Sequence, residues 1–414
     1  VSGMAKDNIV VGLDIGTTKI GAIIAELDGT EGLKVVGVGT SPSEGLRRGV
    51  VVNLEKTVQS ISRAVDEAEL MAGMEVHSVL AGIAGDHIRS INSRGVIAVS
   101  GANREIGKSD INRVVDAAKA VAIPMDREII HVLPQEYIVD DQSGIKDPVG
   151  MAGVRLEAEV HIVTGAVTSA QNLYKSIQKS GLNIRDLVLE PLASSYAVLS
   201  PEEKELGVAL LDIGGGTTDI AVFYEGSIRQ TAVIGLGGNN VTSDIAIGLR
   251  TSLSQAEKIK LEQGSALVSL TRDDEFIAVP GIGGRPEREV PRALLASIVQ
   301  PRMEELFGLA QREIRRTDYA DLLAAGVVLT GGASLLPGAV ELAEQIFDMP
   351  VKLGVPAGFG GLVDLAQSPK HSTGIGLILY AMQNSGENGM GRVTEANMFE
   401  RIFDRMKKWF SEFF

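Results

Sequence analysis

Two stretches of the chain repeat one pattern of apolar and polar positions. Ile9 to Gly29 reads IVVGLDIGTTKIGAIIAELDG, and Gly207 to Gly226 reads GVALLDIGGGTTDIAVFYEG. In each, an apolar run leads through Asp-Ile-Gly and a Gly/Thr turn into a second apolar run closed by Gly. That is the pattern of a β-hairpin with a polar tip. Asp, Gly and Thr recur in both tips and are counterparts in this reading. Copies in both halves of the chain predict a duplicated architecture: two related α/β lobes, each opening with a hairpin.

Between the copies, Val58, Ile61, Val65 and Ala68 recur at helical spacing and Gly73 follows, which predicts a helix over Asn53 to Ala72. Arg127 to Asp141 and Gly153 to Ala166 read as strands. Polar, Gly/Pro-containing sequence separates them, which predicts a small α+β subdomain inserted in the first lobe. Ser169 to Ser180 and Pro291 to Arg316 read as helices. Gly326 to Phe347, GVVLTGGASLLPGAVELAEQIF, reads as a strand, a Gly turn and a helix. Asn384 to Ala396 is polar and Gly-containing, the composition of a flexible linker.

The last stretch, Asn397 to Phe414, is amphipathic. Met398, Phe399, Ile402, Phe403, Met406, Trp409, Phe410, Phe413 and Phe414 fall within an arc of roughly 160° on a helical wheel, and polar or charged residues fill the rest. Aromatics are only 4% of the chain, so their concentration here is selective. The pattern predicts an interfacial helix lying in a membrane plane. Trp409 suits the headgroup level, and Lys407 and Lys408 suit anionic lipid. A helix packed on the chain's own core would show the same segregation. The preceding linker and the aromatic content favour the membrane.

Composition narrows the rest. At 414 residues two or more domains are expected. A net charge of −14 gives no global support for nucleic-acid binding. No cysteine is present, which excludes disulfides, thiolate metal sites and a Cys nucleophile. Asp14 and Gly16 break the first apolar stretch, so it does not read as a signal peptide. No apolar run approaches the roughly 20 residues of a spanning helix.

The chemistry of DIGTTK and DIGGGTTD is that of a polyphosphate cradle. Glycines let a turn approach phosphate and aim backbone N–H groups at its oxygens. The hydroxyls of Thr17, Thr18, Thr217 and Thr218 add donors, and Lys19 adds a point charge. Asp14 and Asp212 would repel phosphate, so they imply a divalent cation between, with Mg²⁺ held through water. Neither loop is a Walker A or a dinucleotide-binding fingerprint. LTGGASLLPG places a third turn, Gly331-Gly332, between a strand and a helix. It could line a base or ribose, but taken alone it reads as an ordinary strand-to-helix turn. His77, His87, His131, His161 and His371 lack metal-ligand spacing and read as structural or exposed.

Together these loops and the third turn resemble the actin-like ATPases: actin, MreB, heat-shock chaperones and sugar kinases. HVLPQEYIVDDQSGIKDPVGMAGVRLEAEVHIVTG (His131 to Gly165), GIGGRPEREVPRALLASIVQPRMEEL (Gly281 to Leu306) and the amphipathic tail narrow it further. They resemble the FtsA family of bacterial cell-division proteins, a likeness that covers the chain from Asn8 onward.

The resemblance implies an α/β, actin-like two-lobed ATPase fold with an FtsA-type inserted subdomain 1C and a C-terminal amphipathic helix. Subdomain 1A would use residues 7–85, 166–206 and 355–383, and 1C residues 86–165. Subdomain 2A would use 207–243 and 300–354, and 2B 244–299. Residues 384–396 would be the linker and 397–414 the membrane-targeting helix. Asp14, Gly16, Thr17, Thr18 and Lys19 would form the first phosphate loop. Asp212, Gly214, Gly215, Gly216, Thr217 and Thr218 would form the second. Glu190, in LEPLASSYAVL, matches a chaperone position that orients water or metal, and with Asp212 it is the catalytic candidate. Gly237, Gly238, Glu257, Lys260, Gly332 and Ala333 fall where adenosine contacts lie. The implied cofactors are ATP or ADP with Mg²⁺, with weak or no hydrolysis, because the lysine that assists the chaperones has no recognisable counterpart.

The implied function is a cell-division protein that polymerises on the cytoplasmic membrane face at the division site. It would anchor the tubulin-like FtsZ ring by its tail, bind the FtsZ C-terminal peptide through 2B and recruit later division proteins through 1C. The alternatives are a pilus-type actin-like scaffold and a small-molecule kinase of the same superfamily.

Overall fold

The computed structural model of the chain describes residues 8–28, 32–101 and 103–387. The amphipathic segment 397–414 and the linker from residue 388 onward lie outside them. The first lobe opens with β1 (Ile9–Ile15), β2 (Lys19–Asp28) and β3 (Gly32–Pro42), an antiparallel meander. A small ribbon, β4 (Leu46–Arg47) and β5 (Val50–Val51), leads into α1 (Leu54–Ala72). Both ends of α1 are those the pattern predicts. The Asn53 side chain accepts from Lys56 N–H, and Gly73, at φ 68°, donates its N–H to Glu69 O. β6 (Ser78–Ile83) then adds parallel to β1.

The chain leaves this lobe for β7 (Arg89–Ala98), α2 (Lys108–Lys119), β8 (Arg127–Val139), β9 (Gln142–Ile145) and β10 (Arg155–Ala166). These strands form a separate antiparallel sheet in the order β7-β10-β8-β9. Ile106, Val114, Ala118, Leu156, Ala158, Val160 and Ile162 bury a core of its own. Pro134, which has no N–H for a ladder, sits in β8 next to Gln135, the extra residue of a bulge opposite Glu159 and Val160 of β10.

The chain returns through α3 (Val167–Lys179), β11 (Asn183–Leu189), α4 (Glu190–Val198) and α5 (Pro201–Leu206). The second lobe repeats the first. β12 (Val208–Ile213), β13 (Thr218–Tyr224) and β14 (Ser227–Ile234) form the meander. α6 (Gly238–Gly248), α7 (Leu253–Gln263), the hairpin β15 (Phe276–Val279) and β16 (Arg288–Pro291), and the long α8 (Arg292–Arg315) follow. β17 (Val327–Thr330) adds parallel to β12, and after α9 (Ala339–Phe347), β18 (Val351–Leu353) adds parallel to β17. The strand orders β3-β2-β1-β6-β11 and β14-β13-β12-β17-β18 therefore match, as duplication predicts. A closing strand β19 (Gly360–Gly361), α10 (Val363–Ala366) and α11 (Ser372–Glu387) return to the first lobe. α11 continues to Glu387, so the segment read as linker from Asn384 begins as helix.

The period-2 alternation of β12 joins the lobes. Val208 and Leu210 pack into the first lobe's core, and Ala209, Leu211 and Ile213 into the second's. α4 and α11 cross behind the cleft with backbones touching. A Cβ on Gly376 would lie 2.0 Å from Ala193 O, so only glycine fits there.

Candidate nucleotide cleft

The two hairpin tips face each other at the base of the cleft. In the first, Gly16 N–H donates to Lys19 O at 3.1 Å; in the second, Gly214 N–H donates to Thr217 O at 2.9 Å. The flanking pairs Ile15↔Ile20 and Ile213↔Thr218 make the turns equal in length. The register corrects the equivalence of the threonines. Thr17 and Thr18 correspond to Gly215 and Gly216, and Thr217 and Thr218 correspond to Lys19 and Ile20. Packing gives the reason. A Cβ on Gly215 would come within 2.3 Å of the Thr18 methyl, and one on Gly216 within 2.6 Å of Thr17 Oγ1. Where one tip carries threonines, the other must carry glycines.

Donors remain for a ligand. Among the described residues, no backbone oxygen accepts from the N–H groups of Thr17, Thr18, Gly215 or Gly216. Such clusters of free N–H groups favour anions. The hydroxyls differ from expectation. Thr218 donates to Leu236 O at 2.9 Å and Thr217 to Asp219 Oδ2 at 3.0 Å, so their protons are committed to protein. Thr17 Oγ1 accepts from Gly49 N–H at 3.1 Å.

Around the tips lie four carboxyl groups. Burial pushes Asp14 up to about 6; Lys19 opposes the rise and Asp212 adds to it. Burial likewise pushes Asp219 up to about 8, helped by Asp212. Glu190, the first residue of α4, is raised well above the usual range by burial and then by Asp14, Asp219 and Asp212. Asp212 is raised by burial against the hydrogen bonds of Ser194 Oγ, at 2.6 Å, and Thr373 Oγ1, at 3.3 Å. Asp14, Glu190 and Asp212 are half-buried rather than fully enclosed. Asp219 Oδ1 is buried with no hydrogen-bond partner among the described residues. The Lys19 ammonium, its own pKa lowered by burial, donates to Lys370 O at 2.7 Å and lies 3.4 Å from His371 Nδ1.

The remaining candidates line the second lobe's side. Gly237 precedes α6, and Gly238 N–H donates to Gly214 O at 2.9 Å, tying α6 to the second tip. Lys260 Nζ donates to Gly238 O at 3.1 Å and Thr242 Oγ1 at 2.9 Å and pairs with Glu257 Oε2 at 2.7 Å. Gly331 adopts φ +83°, and a Cβ there would lie 2.5 Å from Asp212 Oδ1. The third turn is thus seated directly on the second tip, and the short 3₁₀ turn Gly332–Leu335 brings Ala333 beside Gly238. The structure therefore gathers Asp14, Gly16 to Lys19, Glu190, Asp212, Gly214 to Thr218, Gly237, Gly238, Glu257, Lys260, Gly332 and Ala333 around one cleft.

Sequence reasoning missed Asp219, Ser194, Thr242 and the run Pro369 to Thr373. Asp219 ends the DIGGGTTD motif and Ser194 lies four residues after Glu190, so both were within reach. Pro369 to Thr373 follows no periodic pattern. His131 and His161 are buried and structural. His131 Nε2 accepts from Leu189 N–H at 3.0 Å, and His161 sits between Asn92 Oδ1 and Thr231 Oγ1 at 2.6 and 2.9 Å.

Comparison with known proteins adds an independent line. The family described as "Cell division protein FtsA" matches residues 209–376, and "SHS2 domain inserted in FTSA" matches residues 85–164. The cell division protein FtsA of Pseudomonas aeruginosa is 51% identical, covering 99% of both chains. That of Neisseria meningitidis is 45% identical over 97% of this chain and 98% of its own. That of Escherichia coli K12 is 42% identical over 97% and 95%. Among solved structures, a PilM-PilN type IV pilus biogenesis complex aligns with TM-score 0.64 at 16% identity, covering 90% of this chain and 98% of that one. MreB5 of Spiroplasma citri bound to AMPPNP aligns with TM-score 0.59 at 14% identity, covering 93% and 100%. These likenesses show an actin-like fold.

Proposed function

The chain belongs to the FtsA family of cell-division proteins, and on that premise we propose that it binds ATP or ADP between its lobes and polymerises when the nucleotide closes them. The observation that carries this reading is the pair of facing tips with free N–H groups, set over buried carboxyls and capped by the Gly331 turn. The donor chemistry fits a divalent cation. No three acidic or histidine side chains among the described residues converge enough to grip a metal alone, yet Asp219 keeps an unpartnered buried oxygen. Asp14 and Asp212 would hold Mg²⁺ through water, the usual arrangement for an ion shared with phosphates. When bound, it would neutralise phosphate charge beside the carboxyls.

The chain's own residues supply the rest. The tips donate N–H groups to phosphate, Lys19 adds charge, and Lys260 braces the α6 end beside the nucleoside. Tighter binding to the closed arrangement shifts the lobes toward it, so ATP serves chiefly as a closing ligand and is hydrolysed slowly. The same shift favours filaments of the chain with itself.

The tail completes the function. Phe399, Ile402, Phe403, Met406, Trp409, Phe410, Phe413 and Phe414 would enter the cytoplasmic face of the membrane, each large side chain contributing roughly 1.5–3 kcal/mol before ordering costs. One copy binds reversibly, and a filament presenting many binds firmly. Span 244–299, assigned to 2B, carries Ile247, Leu253, Leu261 and Phe276 at 76, 62, 72 and 60% exposure. These exposed apolar side chains would offer anchors to the FtsZ C-terminal peptide. The inserted sheet, assigned to 1C, would meet neighbouring protomers and later division proteins. Calorimetric titration with ATP or ADP and Mg²⁺ tests the premise. Saturable binding that weakens in Asp212→Asn is expected; no saturable binding by the wild type contradicts it.

A further inference from the structure

The run Pro369 to Thr373 contacts the third turn, Lys19 of the first tip and Asp212 before the second. Pro369 O accepts from Gly331 N–H at 3.2 Å, and Lys370 O accepts from Lys19 Nζ at 2.7 Å. His371 Nδ1 lies 3.4 Å from the same ammonium. Ser372 Oγ is 2.6 Å from Thr330 Oγ1, and Thr373 Oγ1 donates to Asp212 Oδ2. Within this run, His371 holds an unusual place. Asp14 and Asp212 both attract the Lys19 ammonium, yet its hydrogen bonds run the other way, to the Lys370 carbonyl and the imidazole. An ammonium has donors only, so His371 must accept at Nδ1, which requires the neutral ring with its proton on Nε2. Burial, and then the charges of Lys19 and Lys370, hold His371 down at about 3, so the ring stays neutral.

We propose that His371 is a positioning residue: with the Lys370 carbonyl it holds the Lys19 ammonium off the flanking carboxyls and aims it at the terminal phosphates of the nucleotide. This rests on the nucleotide reading above. A misaimed point charge loses its contribution to the phosphates while the base and ribose contacts of the other lobe are untouched.

The test uses the full chain with His371→Leu, which removes the acceptor, and His371→Asn, which keeps one near the Nδ1 position. Calorimetry with ADP and with AMP gives the ratio of their affinities. The Leu variant is expected to lower that ratio about tenfold, with AMP binding unchanged, and the Asn variant to restore most of it. An unchanged ratio, or a parallel loss of AMP and ADP in the Leu variant, overturns the proposal. A second readout needs no nucleotide. The rate of Lys19 acetylation by an N-hydroxysuccinimide ester, followed by mass spectrometry, should rise about threefold or more in His371→Leu as the tether is lost, and stay near wild type in His371→Asn. Equal rates in all three proteins overturn the proposal as well. A wild type that binds neither nucleotide contradicts the nucleotide reading alone, and acetylation still decides whether His371 holds Lys19.

Discussion

Replacing Gly215 by alanine should pry the two tips apart, and a second replacement should let them close again. The added Cβ would stand 2.3 Å from the Thr18 methyl and 2.6 Å from Thr18 Oγ1. That is about 1 Å inside ordinary contact, on the steep wall of the repulsion. Either Thr18 rotates or the tips separate by a similar distance. Overpacking of this size costs about 1–3 kcal/mol. If the N–H groups of both tips must grip one polyphosphate, that cost falls on binding and lowers ADP affinity roughly 5- to 150-fold. Thr18→Gly in the Gly215→Ala background transfers the side chain from one tip to the other. It should recover most of the loss, short of about 0.5–1 kcal/mol for the added freedom of glycine. Calorimetry with ADP and Mg²⁺ on the wild type, both single variants and the double variant closes the cycle. A Gly215→Ala protein that binds like wild type refutes the facing-tip account, as does a double variant whose loss is the plain sum of the singles.

Three further outcomes are expected. Lys260→Met removes the bonds to Gly238 O and Thr242 Oγ1 and the pair with Glu257; ADP affinity should fall about tenfold, measured by the same titration, while a loss under twofold contradicts the bracing role. Buried His131 is held down at about 4, below its usual 6.5, so the unfolded chain binds the proton first as pH falls. The stability conferred by the neutral ring is full above 6.5 and drains as pH falls toward 4. The unfolding free energy of His131→Gln from urea titration should therefore depend less on pH than that of wild type, the difference reaching about 2 kcal/mol at pH 5, and equal slopes between pH 5 and 7.5 would discount the buried ring. Finally, the rise in melting temperature given by ADP should be larger with Mg²⁺ than with EDTA, and Asp212→Asn should narrow that gap; equal shifts in both buffers would remove the cation from the account.

Much of the fold is legible because local chemistry and long-range packing agree. The hairpins announce themselves through alternating apolar strands around Gly-containing tips. α1 does so through its apolar stripe between Asn53 and Gly73. The inserted sheet shows as two strong strands in an otherwise polar stretch. The cleft was legible where glycine or lysine has a stereochemical job that few other residues can do. What escaped depends on partners far away in the chain. The pairing of Thr18 with Gly215 follows from turns of equal length facing each other, which no count of offsets from Asp reveals. The grip of Lys370 and His371 on Lys19 joins residues 351 and 352 positions apart, in a run with neither helical nor strand periodicity. The commitment of the Thr217 and Thr218 hydroxyls to Asp219 and Leu236 is likewise visible only after folding.

The central claim is that nucleotide between the lobes governs assembly, and that assembly fastens the protein to lipid through the segment 397–414. Co-sedimentation with liposomes containing anionic lipid measures both at once, comparing the full chain with one ending at Glu387, each with ATP and Mg²⁺ or without nucleotide. The full chain should sediment with liposomes, several-fold more with ATP, and the shortened chain should stay in solution under either condition. Equal lipid binding by the two chains, or binding by the full chain that ignores ATP, would contradict the account.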